Sequence, residues 1–299
     1  MDDLVITLAG LAVGCVVGMT GMGGGALMTP ILVLFFGIPP LAAVSSDLVV
    51  SAVMKPVGAG VHLRRGTVHR SLVGWLCLGS VPAAFGGVLI ARALGDGEGV
   101  QEVIKLALGA ALLLAAAGMV VKAAMSGRRP TSATPLTVRP LPTVLVGVLG
   151  GIVVGMTSVG SGSLIIIALL LLYPALKAND LVGTDLVQAV PLVVSAAVAH
   201  LIFGDFQLDL TLALLLGALP GVYLGAQLSS RMPAGLVRRA LVLVLLMSAL
   251  KLLGAGNVLL VAAMGATIVL GTVIPALLRR RRIDEAERPE PREPAVSGV

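Results

Sequence analysis

Apolar residues along this chain come in long unbroken runs separated by short polar linkers, not in the alternation of half-buried strands or the one-sided stripe of soluble helices. Seven runs, at about 41–63, 70–94, 100–125, 181–203, 208–232, 234–253 and 257–278, approach or exceed the roughly 20 residues that a helix needs to cross a hydrocarbon core. Two further apolar stretches are broken in the middle. Residues 4–19 and 26–38 flank Gly21-Met22-Gly23-Gly24-Gly25, and residues 141–156 and 164–173 flank Ser158-Val159-Gly160-Ser161-Gly162-Ser163. Each half is short for a full crossing. The pattern predicts a re-entrant hairpin or a sharply broken helix at both places, with new helices starting near Ala26 and Leu164.

The two broken stretches belong to an internal duplication. Gly18-Met19-Thr20 recurs as Gly155-Met156-Thr157, 137 residues on. At 138 residues, Asp47-Leu48-Val49 matches Asp185-Leu186-Val187, His62 falls on His200, Gly66 on Gly204, Gly79 on Gly217 and Pro82 on Pro220. So many uncommon residues in order at one offset mark a tandem repeat of one membrane unit. The expected organisation is a first membrane repeat over 1–125, a cytoplasmic linker over 126–140 and a second repeat over 141–253. An extra transmembrane helix over 254–278 and a disordered, Pro- and Glu-rich cytoplasmic tail over 279–299 follow.

Composition agrees with a lipid environment: 57% of residues are hydrophobic, 12% are charged and mean hydropathy is +1.05. A soluble surface would need far more charge. The net charge of +6 lies in short Arg clusters between apolar runs, which excludes a nucleic-acid footprint and reads as a topology signal. The basic linkers are Arg64 to Arg70, Arg128 to Arg139, Arg231 to Arg239 and the tail from Arg279, whereas Asp96 to Glu98, Asp205 to Asp209 and Gly254 to Asn257 hold no Arg or Lys. Placing the basic linkers inside satisfies all seven long runs. It puts the N-terminus and residues 37–41 outside and residues 174–180 inside with the C-terminus. Each broken stretch then enters and leaves on one side, and three crossings per unit invert the second unit relative to the first. The chain is therefore expected to be an all-α integral membrane protein of two inverted repeats, each a re-entrant or broken helical hairpin plus three transmembrane helices, with one extra C-terminal helix. The opening Met1-Asp2-Asp3 lacks a basic region, so the first run is expected to be retained.

Non-helical backbone at membrane depth is tolerated only inside protein or beside a water-filled cavity, so the two tips mark a cavity. Helix N-termini behind them, with free N–H groups and the positive ends of their dipoles, suit an anion. Thr20, Gly21, Gly23, Gly24 and Gly25 in the first tip, and Thr157, Ser158, Gly160, Ser161, Gly162 and Ser163 in the second, supply backbone and hydroxyl donors; capping of their own helices is the alternative role for the hydroxyls. Asp47, Ser51, Lys55 and His62 share one helix face at 100° per residue. Ionisable residues in an apolar run are functional by default, and Lys55, without a charged mate in the second repeat, is the sharpest. Asp47 and Asp185 suit coupling work or N-capping, His62 and His200 suit interfaces or a proton relay, and Gln188 is a weak candidate without a nameable partner. Gly10, Gly14 and Gly18, with Gly147, Gly151 and Gly155 and with Gly217, Gly221 and Gly225, are spaced for close helix packing. Gly14→Ala is accordingly expected to be milder than Gly23→Val or Gly24→Val. Cys15 and Cys77 form no CxxC and no ligand spacing; no metal and no cofactor are expected.

The run Gly18 to Gly25 with Pro30, Ser45-Ser46-Asp47 and His62 to Gly66, together with Gly155 to Gly162, Thr184-Asp185 and Gly204, resembles the TauE/SafE sulfite exporter family, also called the 4-toluene sulfonate uptake permease family. The resemblance covers roughly residues 5–255 and implies transport of sulfite, sulfonates or related organosulfur anions, often outward, in a cell inner membrane. A passive anion channel shares every feature above. An intramembrane serine hydrolase using Ser161 and His200 is disfavoured because Gly24, the mate of Ser161 at the offset of the tips, could not serve as a nucleophile; no enzyme activity is expected. The partners expected are a small anionic substrate and the lipid bilayer, with a proton as coupling ion and a homo-oligomer as open alternatives.

Overall fold

Without water, backbone N–H and C=O groups must pair within their own segment, and this chain does so as helices. The computed structural model describes residues 3–20, 24–93, 98–125, 137–176, 178–228, 234–267 and 269. The chain divides into two units, Met1–Gly256 and Asn257–Val299. The first holds α1 (Asp3–Thr20), α2 (Gly25–Phe35), α3 (Pro40–Arg64), α4 (Arg70–Ala93), α5 (Glu98–Met125), α6 (Pro140–Thr157), α7 (Leu164–Leu172), α8 (Ala178–Phe203), α9 (Leu208–Leu228) and α10 (Ala234–Leu252). Among the described residues there is no strand, only an isolated bridge between Gly160 and Gly162. The second unit carries a helix over Asn257–Thr267; the rest of the last apolar run, most of the inter-repeat linker and the basic tail lie outside the described residues.

Among the described residues, seven helices are long and apolar enough to cross a membrane, namely α1, α3, α4, α5, α6, α8 and α9. Five coincide with expected runs. The other two correct the expectation that both halves of each broken stretch are short. α1 and α6 are 18 residues each, because helical hydrogen bonding carries on through Met19-Thr20 and Met156-Thr157 beyond the purely apolar core. Only the returning limbs are short. α2 has 11 residues and α7 has 9, about 16 Å and 14 Å long against a hydrocarbon core of about 30 Å. α10, interrupted by Arg238, Arg239 and Lys251, is not among the seven.

Helices α1–α5 recur in order as α6–α10, and the packing follows the duplication. α1 lies against α9 and α6 against α4, the two most extensive contacts, while α3 packs on its own counterpart α8 and α5 on α10. The small-residue stripes make the first two contacts. A Cβ on Gly10, Gly14 or Gly18 would strike backbone of Leu214, Ala218 or Val222, and one on Gly217, Gly221 or Gly225 would strike backbone of Thr7, Leu11 or Cys15. Gly79 and Gly87 meet Val144 and Ile152, and Gly147, Gly151 and Gly155 meet Leu76, Ser80 and Ala84, in the same manner. In both pairs the contacts advance together along the two helices, so α1 runs parallel to α9 and α6 parallel to α4. This geometry runs against the expectation that Gly14→Ala is the milder change, touching packing only. Its Cβ would sit 2.9 Å from the Ala218 Cα and closer still to the Ala218 carbonyl oxygen, which are backbone atoms that cannot turn aside.

Candidate functional site

The two interrupted stretches meet in the middle of the bundle. Gly25, the first residue of α2, lies so close to Ser158 that a Cβ there would overlap the Ser158 carbonyl oxygen. Ser158 ends α6 in a left-handed conformation, φ 59°, with its N–H donated back to Val154 O at 2.8 Å. It is the only non-glycine residue at positive φ among those described. Gly160 (φ 132°) and Gly162 (φ 98°) continue the loop through angles that suit glycine. The Gly160 carbonyl accepts from the N–H groups of Ser163, Leu164 and Ile165 at 3.3, 2.9 and 3.3 Å. The start of α7 is thus closed by its own loop, a correction to the expectation of free N–H groups there. Leu27 and Met28 of α2 likewise donate to Gly24 O at 2.9 and 2.8 Å.

What the tips do present is side chains. Lys55 of α3 is buried (6% exposed), and its Nζ donates to Ser161 Oγ of the second tip. Its ammonium lies within electrostatic reach of Asp185 and Asp47. Asp47 is fully buried and accepts from Thr29 Oγ1 of α2 at 2.8 Å through one oxygen. Ser158 Oγ faces this carboxylate without forming a hydrogen bond of good geometry, and Asp47 Oδ1, Ser51 Oγ and Ser158 Oγ are left without partners. Unpaired buried polar atoms are expensive, about 1–3 kcal/mol each, so three around one spot make it a place for a polar guest. A Cβ placed on Gly24 would lie 3.5 Å from Asp47 Oδ1 and 3.8 Å from Ser51 Oγ, so the glycine leaves that spot open. Beside it lies a cavity of about 190 Å³. Gly24, Ser51 and Lys55 form its polar end, and Val17, Met54, Val57, Val61, Leu186 and Val222 supply apolar walls.

The other expected residues divide. Gly21 and Gly23 lie outside the described residues. The Thr20 and Thr157 hydroxyls donate to carbonyls of their own helices, Val16 O at 2.8 Å and Val153 O at 2.6 Å, which is the local role. Ser163 makes no side-chain cap. Neither aspartate is an N-cap, since α3 begins at Pro40 and α8 at Ala178, a full turn or more before Asp47 and Asp185. His62 is half-buried beside the 65–69 turn, its Nδ1 2.8 Å from Thr67 Oγ1. His200 is no surface residue. It is fully buried, with Nδ1 2.8 Å from Ser45 Oγ of α3 and Nε2 2.8 Å from Gly155 O of α6. Ser161 faces Lys55 and His200 faces Ser45 and Gly155, so the serine–histidine pair that a hydrolase would need does not form. Gln188 has a partner after all, donating to Ser80 Oγ at 2.7 Å.

Thr29 and Ser80 escaped the sequence reading, and Ser45 entered it only within the family-like stretch Ser45-Ser46-Asp47. A buried carboxylate, imidazole or amide in lipid requires a partner in the bundle. Which hydroxyl answers is decided by packing between helices distant in sequence, and no spacing reveals it.

Comparison with known proteins identifies the family. The model of the sulfite exporter TauE/SafE family matches residues 6–252. The probable membrane transporter protein YjnA of Bacillus subtilis (strain 168) is 39% identical over 252 residues, covering 83% of this chain and 98% of the relative. The probable membrane transporter protein YdhB of the same organism is 26% identical over 252 residues, covering 84% and 100%. The probable membrane transporter protein YunE, also of that organism, is 38% identical over 79 residues, covering 26% of this chain and 27% of its own. No solved structure matches. A nearly full-length family match, a relative close to 40% identical along its whole length and seven helices able to cross a bilayer lead to one conclusion: the chain belongs to the TauE/SafE sulfite exporter family and is a multi-pass membrane transporter.

Proposed function

We propose that the protein is a secondary carrier for small sulfur oxyanions, sulfite or short sulfonates, which it binds where the two tips meet and carries outward. The observation that carries the reading is the Lys55–Ser161 contact at the end of the cavity, beside the unpartnered hydroxyls of Ser51 and Ser158. A tetrahedral or pyramidal oxyanion offers several acceptors to one ammonium and two hydroxyls, and at low dielectric the ammonium is strongly felt. The contact between Gly25 and Ser158 interposes backbone between the halves of the molecule, which favours a carrier over an open channel.

Charge balance brings in a proton. Ionised Asp47, Asp185 and Lys55 sum to one negative charge, and a monovalent anion would make it two in a nearly dry site. Protonating a carboxyl as the anion enters removes that penalty. Anion and proton therefore bind together, with Asp47 and Asp185 as the acceptors.

The parallel course of α1 with α9 and of α6 with α4 fits the inside placement of the basic linkers. α9 runs from the Asp205–Asp209 linker to Arg231, so α1 starts outside. α4 runs from Arg70 to Asp96, so α6 starts inside. We place the N-terminus outside and the C-terminus in the cytoplasm of a cell inner membrane, with the repeats inverted.

Isothermal titration calorimetry on the purified protein tests the substrate class. Sulfite and methanesulfonate should give saturable heat that grows as pH falls. Heat from a metal cation or a neutral amino acid, with none from either oxyanion, would overturn the reading.

A further inference from the structure

Among the described residues, the cavity opens where the equivalent positions of the other repeat are packed. Along its wall Val57 is 64% and Val61 43% exposed, Leu186 is half-buried and Ala226 is exposed. At the repeat offset of 138 their mates are Ser195, Ala199, Leu48 and Val88. Ala199, Leu48 and Val88 are at most 1% exposed, and the Ser195 hydroxyl is fastened to Val81 O at 2.7 Å. One half of the molecule is open where its counterpart is packed solid. The packed half is also crossed by polar ties whose equivalents the open half does not make: Gln188 to Ser80, Ser195 to Val81 and His200 to Gly155 and Ser45. In the open half, Val50 and Val57 stand where Gln188 and Ser195 would be, and of these three tying residues the histidine alone is kept. There His62 turns to Thr67, while Gly18, the mate of the His200 acceptor Gly155, lines the cavity.

Resting on the carrier reading above, we propose that His200 and His62 are paired gate residues. The His200 clamp on Gly155 and Ser45 holds one side shut while the other is open. In the opposite state His62 closes onto the Gly18 carbonyl, and the region around Ala199 opens in place of that around Val61. Two states of a duplicated fold related by exchange of the repeats need only this trade of equivalent contacts, and the loss of a contact made in one state alone moves the population toward the other.

Thiol reactivity toward N-ethylmaleimide in purified, detergent-solubilised protein tests the gate, in a Cys15→Ser, Cys77→Ser background carrying either Val61→Cys or Ala199→Cys. The cysteine at 61 should react readily and the one at 199 slowly. Adding His200→Ala should raise the rate at 199 by about tenfold, the scale of one buried hydrogen bond lost from one of two states, and lower the rate at 61. Ser45→Ala, which removes one of the two contacts and leaves the imidazole in place, should act in the same direction and less. A rise at both positions would mean loosening of the fold, and no change at either would mean that His200 is only packing; each outcome rejects the gate. The measurement contains no anion, so an error in the proposed substrate leaves its outcome untouched.

Discussion

Lys55 stands at the point where the two repeats touch, and its neighbours divide sharply by the work they can do. Lys55→Ala should weaken sulfite binding by about tenfold to a hundredfold, the loss of a charge-assisted hydrogen bond, and lower thermal stability to a smaller extent, since Asp47 and Asp185 lose their cation; titration calorimetry and a melting curve separate the two. Asp47→Asn keeps an acceptor for Thr29 and removes the charge, so anion affinity should rise at neutral pH and lose most of its pH dependence. Persistence of the full pH dependence in that variant would move the proton acceptor to Asp185. Gly24→Ala and Gly25→Ala form an informative pair. The first places a methyl at ordinary contact distance from Asp47 and Ser51 and should lower transport in a folded protein, whereas the second drives a methyl into the Ser158 carbonyl and should lower the yield of folded protein. Lys55, Asp47 and the glycine tips were legible in the sequence because charge and contiguous glycine are rare in apolar runs. The severity of a methyl at Gly14, the burial of His200 and the answering hydroxyls of Thr29 and Ser80 were not, because each depends on a helix more than a dozen residues away.

At the scale of elements, the duplication told where α2 and α7 begin, at Gly25 and Leu164, within a residue of the starts read from the interrupted runs. It did not tell that α1 and α6 are full-length limbs. Apolar contiguity ends at the tip threonines, whereas helical hydrogen bonding does not. The parallel pairing of α1 with α9 and of α6 with α4 makes topology testable one linker at a time. Single cysteines at Pro39 and Asp96 should react with an impermeant thiol reagent added from the periplasmic side, and those at Thr67, Ser132 and Ala178 should not. Labelling at Ala178 from outside would place the end of α7 on the wrong side and undo the inverted arrangement of the repeats.

At the scale of the whole molecule, one asymmetric cavity, one lysine without a charged mate in the second repeat and two aspartates make a carrier that moves an anion together with a proton. A channel of the same fold would pass the anion in proportion to its concentration and without a proton. The most direct test is the uptake of radiolabelled sulfite into proteoliposomes over a range of sulfite concentrations, with and without an imposed pH gradient. The account predicts saturable flux that the gradient accelerates, and near-background flux for Lys55→Ala. Flux that rises linearly with sulfite, ignores the gradient and survives Lys55→Ala would contradict it.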